Sequence, residues 1–312
     1  VHLHRSRFIA LAAAAPVAIA HPARAQTSAL RVGAVPSDSY GEPYYALDGG
    51  FFSRAGLNVE VTSFSSGAQI TSAVAGGALD FGLADPIQTG AGFLRGVGFA
   101  YFAGGVQYTS AAPTTQLCIL KNGPVKTPKD LAGQTLGVFG LRSMPVFATR
   151  EWLKANGVDA EAVKFVELPP SAMVPAIVRG TIAAGVVVEP ELSTVADDGV
   201  MPLAKVYDFC AKQFYINSWF AKRDWLTANA ATARKLQTAI YETARWANTH
   251  HADTLPILAK YSKMDPGKIG RMTRATWATD LDAKDVEPPI VLATKYHLFE
   301  KPLNAADLIV KV

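Results

Sequence analysis

One stretch of this chain is written twice, about 100 residues apart. Gly77-Ala-Leu-Asp-Phe-Gly-Leu-Ala-Asp85-Pro86 returns as Gly180-Thr-Ile-Ala-Ala-Gly-Val-Val-Val-Glu189-Pro190: a Gly that ends a helix, a short apolar strand, then an acidic residue followed by Pro. Upstream, Pro43-Tyr-Tyr-Ala46 leading to Gly56-Leu57 is echoed by Pro145-Val-Phe-Ala148 leading to Gly157-Val158. Helix start, helix stop and strand end therefore recur at nearly the same offset. A βαβ unit cannot bury both faces of its strand alone, so a repeat of this length implies two similar α/β lobes facing one another across a cleft.

The chain of 312 residues is 49% hydrophobic, enough for two modest cores. The first 25 residues are set apart from the fold. His4-Arg5-Ser6-Arg7 is a basic start, Phe8 to Ala20 a short apolar run, and Ala23-Arg24-Ala25 a small-residue cleavage site. An apolar run of 13 residues is too short to span a bilayer, so residues 1–25 are read as a cleaved secretory signal and the mature protein as periplasmic. Without Arg5, Arg7 and Arg24, the 30 basic residues fall to 27 against 26 acidic ones. That near-neutral balance carries no nucleic-acid footprint. Cys118 and Cys210 lie in the exported part, where oxidising conditions allow a bridge, while their separation excludes a CxxC redox or zinc motif. A disulfide and two separate buried thiols are both compatible with the pattern.

Along the chain, Leu30–Val35 reads as a first strand, apolar nearly throughout as in a covered parallel sheet. A helix over 42–54, a strand over 57–64, a helix after Ser65-Ser66-Gly67, the strand 81–84, a helix over 87–95 and the strand 99–103 come next. A second cycle has strands at 114–121, 135–139, 163–167 and 185–188, with helices ending at Asn156 and Arg179. From Thr227 the chain turns helical. Ala233, Leu236, Ala239, Ile240, Thr243, Ala244 and Ala247 make one apolar face, and Pro288-Pro289 is expected to break the tail before a last short helix. The lobes are expected at 28–112 plus 215–312 and at 113–214.

No catalytic constellation emerges. His250, His251 and His297 have no H-E-x-x-H spacing, no serine elbow is present, and neither G-x-G-x-x-G nor a P-loop lysine follows a strand. No catalytic residue, cofactor or metal is therefore assigned. The candidate contacts are the loops at strand C-termini, where α/β sheets expose ligand sites. In the first half these are Ser37, Asp38 and Tyr40; Ser66, Gly67 and Gln69; and Asp85 and Gln88. The second half presents Arg142, Ser143 and Glu189. Arg142 is the one cation among them, with a planar fork that suits a carboxylate or sulfonate. Asn217 and Trp219, near the return crossing, are candidates to bond or stack on a ligand.

Gly50-Phe51-Phe52-Ser-Arg-Ala-Gly56-Leu57-Asn58-Val59, followed by Gly67-Ala68, by Gly77-Ala-Leu-Asp80-Phe-Gly82, by Asp130-Leu131-Ala-Gly133-Gln-Thr-Leu-Gly137-Val138 and by Glu189-Pro190, resembles the nitrate/sulfonate/taurine/bicarbonate-binding family of transporter solute-binding proteins. The resemblance covers roughly residues 30 to 250 in the family's order. It implies a two-lobed type II periplasmic binding protein of α/β class, each lobe a mostly parallel sheet flanked by helices, joined by a two-strand hinge and closing on a small molecule. The partner it implies is an ABC transporter permease, with the binding protein a monomer. On this resemblance Thr114 and Thr115, on the crossing strand, join the ligand contacts. The expected ligand is a small organic anion, a carboxylate or sulfonate whose aromatic or apolar body Tyr40, Tyr44 or Trp219 would cover. The alternatives are a pyrimidine thiamine precursor, another amine-bearing ligand, or an enzyme on the same scaffold. The cysteine-rich motif of the family's pyrimidine enzymes is missing, which leaves binding without turnover as the expected role.

Overall fold

The structure, a computed structural model, describes residues 29–312, so the expected signal segment lies outside the described residues. The chain opens with β1 (Leu30–Ala34), α1 (Glu42–Asp48), α2 (Phe51–Arg54), β2 (Val59–Ser63), α3 (Gly67–Ala75), β3 (Phe81–Ala84), α4 (Pro86–Leu94) and β4 (Phe99–Gly104). The helix expected over 42–54 is two helices, because the chain breaks at Gly49-Gly50, where Gly50 takes a φ of 73° that a side chain resists. After β5 (Val106–Thr109), the second half runs as β6 (Thr115–Leu120), β7 (Thr135–Val138), α5 (Met144–Ala155), β8 (Lys164–Glu167), α6 (Pro170–Val178), β9 (Ala184–Val188) and β10 (Val200–Ala204). The chain returns through β11 (Gln213–Tyr215) and β12 (Ser218–Lys222). It ends in α7 (Arg223–Ala228), α8 (Ala230–Thr249), α9 (His251–Ser262), α10 (Pro266–Arg271), β13 (Thr276–Trp277) and α11 (Ala283–Lys295).

These strands make two five-stranded sheets with the same plan, β2-β1-β3-β12-β4 and β8-β7-β9-β6-β10. In each sheet the first three strands pair parallel, and the fourth runs antiparallel to both neighbours. The reversed strand is always the one that has just crossed: β6 enters the second lobe, and β12 returns to the first. The repeated sequence thus maps onto a repeated topology, with β3 and β9 at the same place in their sheets. Between the lobes β5 pairs antiparallel with β11 and β13 in a three-stranded ribbon, which carries both crossings.

Burial matches the sequence pattern. Val32, Ala34, Phe81 and Leu83 are fully enclosed, as strands covered on both faces require, and the periodic face of α8 lies against this sheet and α1. The tail departs from expectation at Pro288-Pro289, where α11 runs through both prolines without breaking. Tertiary contacts outweigh the lost backbone bonds. Asp285 accepts Gln107 Nε2 and Gln213 Nε2 (2.9 Å each), Pro289 is buried, and Tyr296 and Lys295 at the helix end bond Glu151 of α5. Cys118 and Cys210 are free thiols, so the bridge is not made. Cys118 sits in mid-strand in the core under the second sheet, whereas Cys210 packs against a different cluster after the return from β10.

Candidate functional site

A cavity of about 280 Å³ lies between the lobes, where the C-terminal ends of β1, β3, β7 and β9 converge. Lobe one contributes Ser37, Asp38, Ser39 and Tyr40 after β1, then Asp85, Ile87 and Gln88 after β3. Lobe two contributes Phe139, Arg142, Ser143 and Met144 after β7, and Val188 and Glu189 after β9. The crossings supply Thr114, Thr115, Tyr207, Phe214 and Tyr215, and the tail supplies Thr273, Ala275 and Pro289.

Ten of the fifteen candidate residues therefore line one cavity: Ser37, Asp38, Tyr40, Asp85, Gln88, Thr114, Thr115, Arg142, Ser143 and Glu189. Five do not. Ser66 caps α3 by accepting the Gln69 N–H, and the Gln69 amide oxygen turns back to Ser65. Gly67 stands just behind the wall, where a Cβ would lie 2.6 Å from the Tyr40 hydroxyl and 3.3 Å from the Gln88 amide oxygen. Asn217 is fully buried, its amide bridging the Val106 N–H (3.1 Å) and the Ser39 carbonyl (2.6 Å), and so it fixes the crossing and the loop after β1. Trp219 is enclosed in the core of lobe one. Its indole N–H donates to Glu42 Oε2 at 2.6 Å, and its ring packs near Phe81, which leaves no face for a ligand.

The lining carboxylates are in different states. Asp38 is occupied on both oxygens: Oδ1 accepts Arg274 Nη2 (2.9 Å), Arg274 Nε (3.1 Å) and the Tyr45 hydroxyl (2.9 Å), and Oδ2 accepts the Ala275 N–H (2.6 Å). This ion pair is buried, with side-chain exposures of 7% and 8%. It holds the segment after α10 in place and has little left to offer a solute. Asp85 caps α4 through the Gln88 N–H (2.8 Å), and among the described residues it pairs with no cation. Burial pushes its carboxyl up to about 6, and its charge in turn raises the phenols of Tyr40, Tyr101 and Tyr207, already raised by their own burial. Beside it the Gln88 amide oxygen is buried and accepts no hydrogen bond. Glu189, also raised by burial, accepts the Ser193 hydroxyl (2.8 Å), the Ser193 N–H (3.1 Å) and the Thr273 N–H (3.0 Å).

Besides Glu189, lobe two offers a setting for an anion. Ser143 stands at the N-cap of α5 but turns its hydroxyl to the Gly140 carbonyl, so no side chain closes the first turn of this twelve-residue helix. Pro145 has no N–H and Val146 donates to the Ser143 carbonyl (3.1 Å), so the Met144 N–H is the donor this turn leaves for a solute; with the helix dipole it favours an anion, and exposed Arg142 stands beside it at the cavity mouth. Between the two ends run the aromatic walls of Phe139, Tyr207 and Phe214. Of these, Phe139 was legible as the end of the strand expected over 135–139 and follows β7 directly, whereas Tyr207 and Phe214 come from the return crossing and Thr273 from the tail, segments without a periodic signal. The thiols offer no nucleophile, since burial pushes Cys118 up to about 12 and raises Cys210 as well. Among the described residues no cluster of three His, Cys, Asp or Glu side chains is arranged to hold a metal.

A family model described as NMT1/THI5 like matches residues 40–253. No curated protein matches the chain by sequence. Among solved structures, the periplasmic aliphatic sulphonate binding protein SsuA from Escherichia coli superposes with a TM-score of 0.76 at 19% identity, over 91% of this chain and 92% of that one. The alkanesulfonate-binding protein SsuA from Xanthomonas axonopodis pv. citri, bound to MOPS, gives 0.71 at 16% identity, over 91% and 98%. The desulfurization enzyme DSZB gives 0.69 at 14% identity, over 91% and 96%. Identities this low establish the shared two-lobed α/β fold and leave the solute open.

Proposed function

The chain belongs to the NMT1/THI5-like family, and from that premise we propose that it is a periplasmic solute-binding protein that delivers a small organic anion to an ABC importer, without turning it over. We take 28–112 plus 215–312 as one lobe and 113–214 as the other, with the solute held where they meet. The observation that carries this reading is that the cavity's cation, Arg142, stands on one lobe and Asp85, a carboxylate without a cation among the described residues, on the other. Lobe two presents the open N-terminus of α5 with Arg142 beside it, a setting for a carboxylate or sulfonate. Lobe one presents the Asp85 carboxylate and the unpartnered Gln88 amide oxygen beside the hydroxyls of Ser37, Ser39 and Tyr40, and these two acceptors call for an N–H or O–H donor at the other end of the solute. The aromatic walls between suit an apolar or planar body. A bare inorganic anion such as nitrate satisfies one end alone and meets the repulsion of the Asp85 carboxylate. Sulfonate recognition by the two SsuA proteins supports the anion end, and the lack of an activated nucleophile supports binding over catalysis.

The test is thermal unfolding in the presence of small solutes sorted by charge: organic anions, organic anions with a distal amine or hydroxyl, amines, and inorganic anions. The distal-donor anions should stabilise most, by about 2.7 kcal/mol at 100 times Kd, and be recovered chemically unchanged. Stabilisation by amines alone, by inorganic anions alone or by no class, or conversion of the solute, would overturn the proposal.

A further inference from the structure

Glu189 lies on lobe two at the end of β9, yet one of its three hydrogen bonds comes from the opposite side of the cleft, from the Thr273 N–H at 3.0 Å. The segment that carries this N–H is rigidly tied to lobe one. Ala275 N–H and the Arg274 guanidinium both bond Asp38, Arg274 also reaches the Tyr45 hydroxyl (2.8 Å), and Trp277 exchanges two bonds with the Asn248 amide (2.8 Å each). On lobe two, Ser193 holds the same carboxylate through its hydroxyl and its N–H, so Glu189 has a fixed direction. Next to this contact α10 packs on the 3-10 turn Leu192–Asp198, with Arg271 Nη1 3.3 Å from Asp197 Oδ2. Both partners of that ion pair are more than half exposed, so it adds little by itself.

From this arrangement we propose that Glu189 is a positioning residue that latches the lobes together through the Thr273 N–H, and so sets how readily the cavity closes independently of its contact with solute. The proposal deepens the binding reading above and rests on it for its biological meaning. A hydrogen bond between a carboxylate on one lobe and a backbone N–H on the other exists only while the lobes are together; when they part, both groups return to water. The latch therefore favours the closed form in proportion to what that bond gains over hydration. Asp38 acts one step back. By pairing with Arg274 and Ala275 it keeps the Thr273 N–H aimed across the cleft.

Lobe separation can be read without any solute. Spin labels at Glu60→Cys on β2 and Lys154→Cys on α5, both exposed positions, in a Cys210→Ala background, report the distance between lobes, and buried Cys118 with its raised thiol stays unlabelled. The ligand-free protein should show a population at the closed distance of this structure. Glu189→Ala should lower the ratio of closed to open about tenfold, the change produced by about 1.4 kcal/mol, and Glu189→Gln, which keeps one accepting oxygen, should fall between. Ser193→Ala removes a bond within lobe two but leaves the Thr273 contact, and should keep the closed distance. A ligand-free protein with no closed population, a Glu189→Ala distribution equal to the parent's, or an equal loss in Ser193→Ala would overturn the latch. Because no solute enters the measurement, failure to find one tests the binding reading and leaves this result intact.

Discussion

In lobe one the chain leaves β3 at Asp85-Pro86 and turns directly into α4, whose first turn absorbs the Asp85 carboxylate through the Gln88 N–H. In lobe two it leaves β9 at Glu189-Pro190 and enters a 3-10 turn from Leu192, so the carboxylate has no helix to cap and instead gathers Ser193 and the opposite lobe's Thr273. The loops after β1 and β7 differ in the same sense. Asp38 is sealed into a buried ion pair, while Arg142 stands open at the cavity mouth. The duplicated unit has kept its strand ends and changed the residues beyond them. The acid–proline pair fixes where the strand stops, and the short segment after it decides whether its carboxylate serves its own lobe or reaches across.

The comparison breaks most visibly at Asp38 and Arg142, equivalent by place and opposite in burial. Asp38→Ala leaves the Arg274 guanidinium at 7% exposure without its counter-charge, a change that costs about 3–5 kcal/mol in buried pairs. Arg142→Ala, at an exposed loop, should leave the stability of the empty protein within about 0.5 kcal/mol. Urea midpoints of the two variants measure this. Similar losses in both would mean that the loops play the same part in each lobe.

Asp85 gives the next effect, and its sign is the reverse of an ordinary salt-bridged aspartate. Its carboxyl holds a proton up to about 6 in the folded protein, against about 3.9 in the unfolded chain. The folded state therefore binds more protons between those values, and stability is lost as pH rises through that window, by roughly 3 kcal/mol in all. Asn at this position still caps α4 but carries no charge. Asp85→Asn should lose less stability than the parent across this window, by about that amount, and above pH 6 it should be the more stable protein. Tyr40, Tyr101 and Tyr207, which face the group, do not ionise in this range, and Glu189 titrates in both proteins. Parallel pH profiles would place the charge of Asp85 in a setting as well solvated as water.

The repeat made the architecture legible because strand ends and helix stops are written in glycine, proline and acid, which act locally. For the same reason the strand ends located the loops around the cavity and eight residues that line it, while Thr114 and Thr115 came from the family resemblance. Long-range partners leave no such local mark. Asp38 reads as free in the sequence because Arg274 is 236 residues away. Trp219 reads as available because its partner Glu42 sits 177 residues earlier. The aromatic walls at Tyr207 and Phe214 belong to a return crossing whose strands are too short to show alternation. Pro288-Pro289 reads as a stop, and only the grip of α11 on the crossing strands and on α5 carries the helix through.

Arg142 carries the smallest effect and the sharpest choice. It is the cation of the cavity mouth, two residues before α5 begins, on the loop whose counterpart in lobe one carries Asp38. If its fork closes on the anionic end of the solute, Arg142→Ala should weaken binding by about 1.5 kcal/mol, the lower end for a hydrogen bond to a charged group, because the side chain is exposed and water competes for it. Lysine should restore part of the loss, since a point charge replaces attraction but not two parallel bonds. The measurement is titration calorimetry with the organic anion that gives the largest thermal shift, on parent, Arg142→Ala and Arg142→Lys. Unchanged affinity in Arg142→Ala would leave the open N-terminus of α5 as the sole anion-binding element. The two lobes would then differ only in whether a helix end is capped, by Asp85 in one and by the solute in the other.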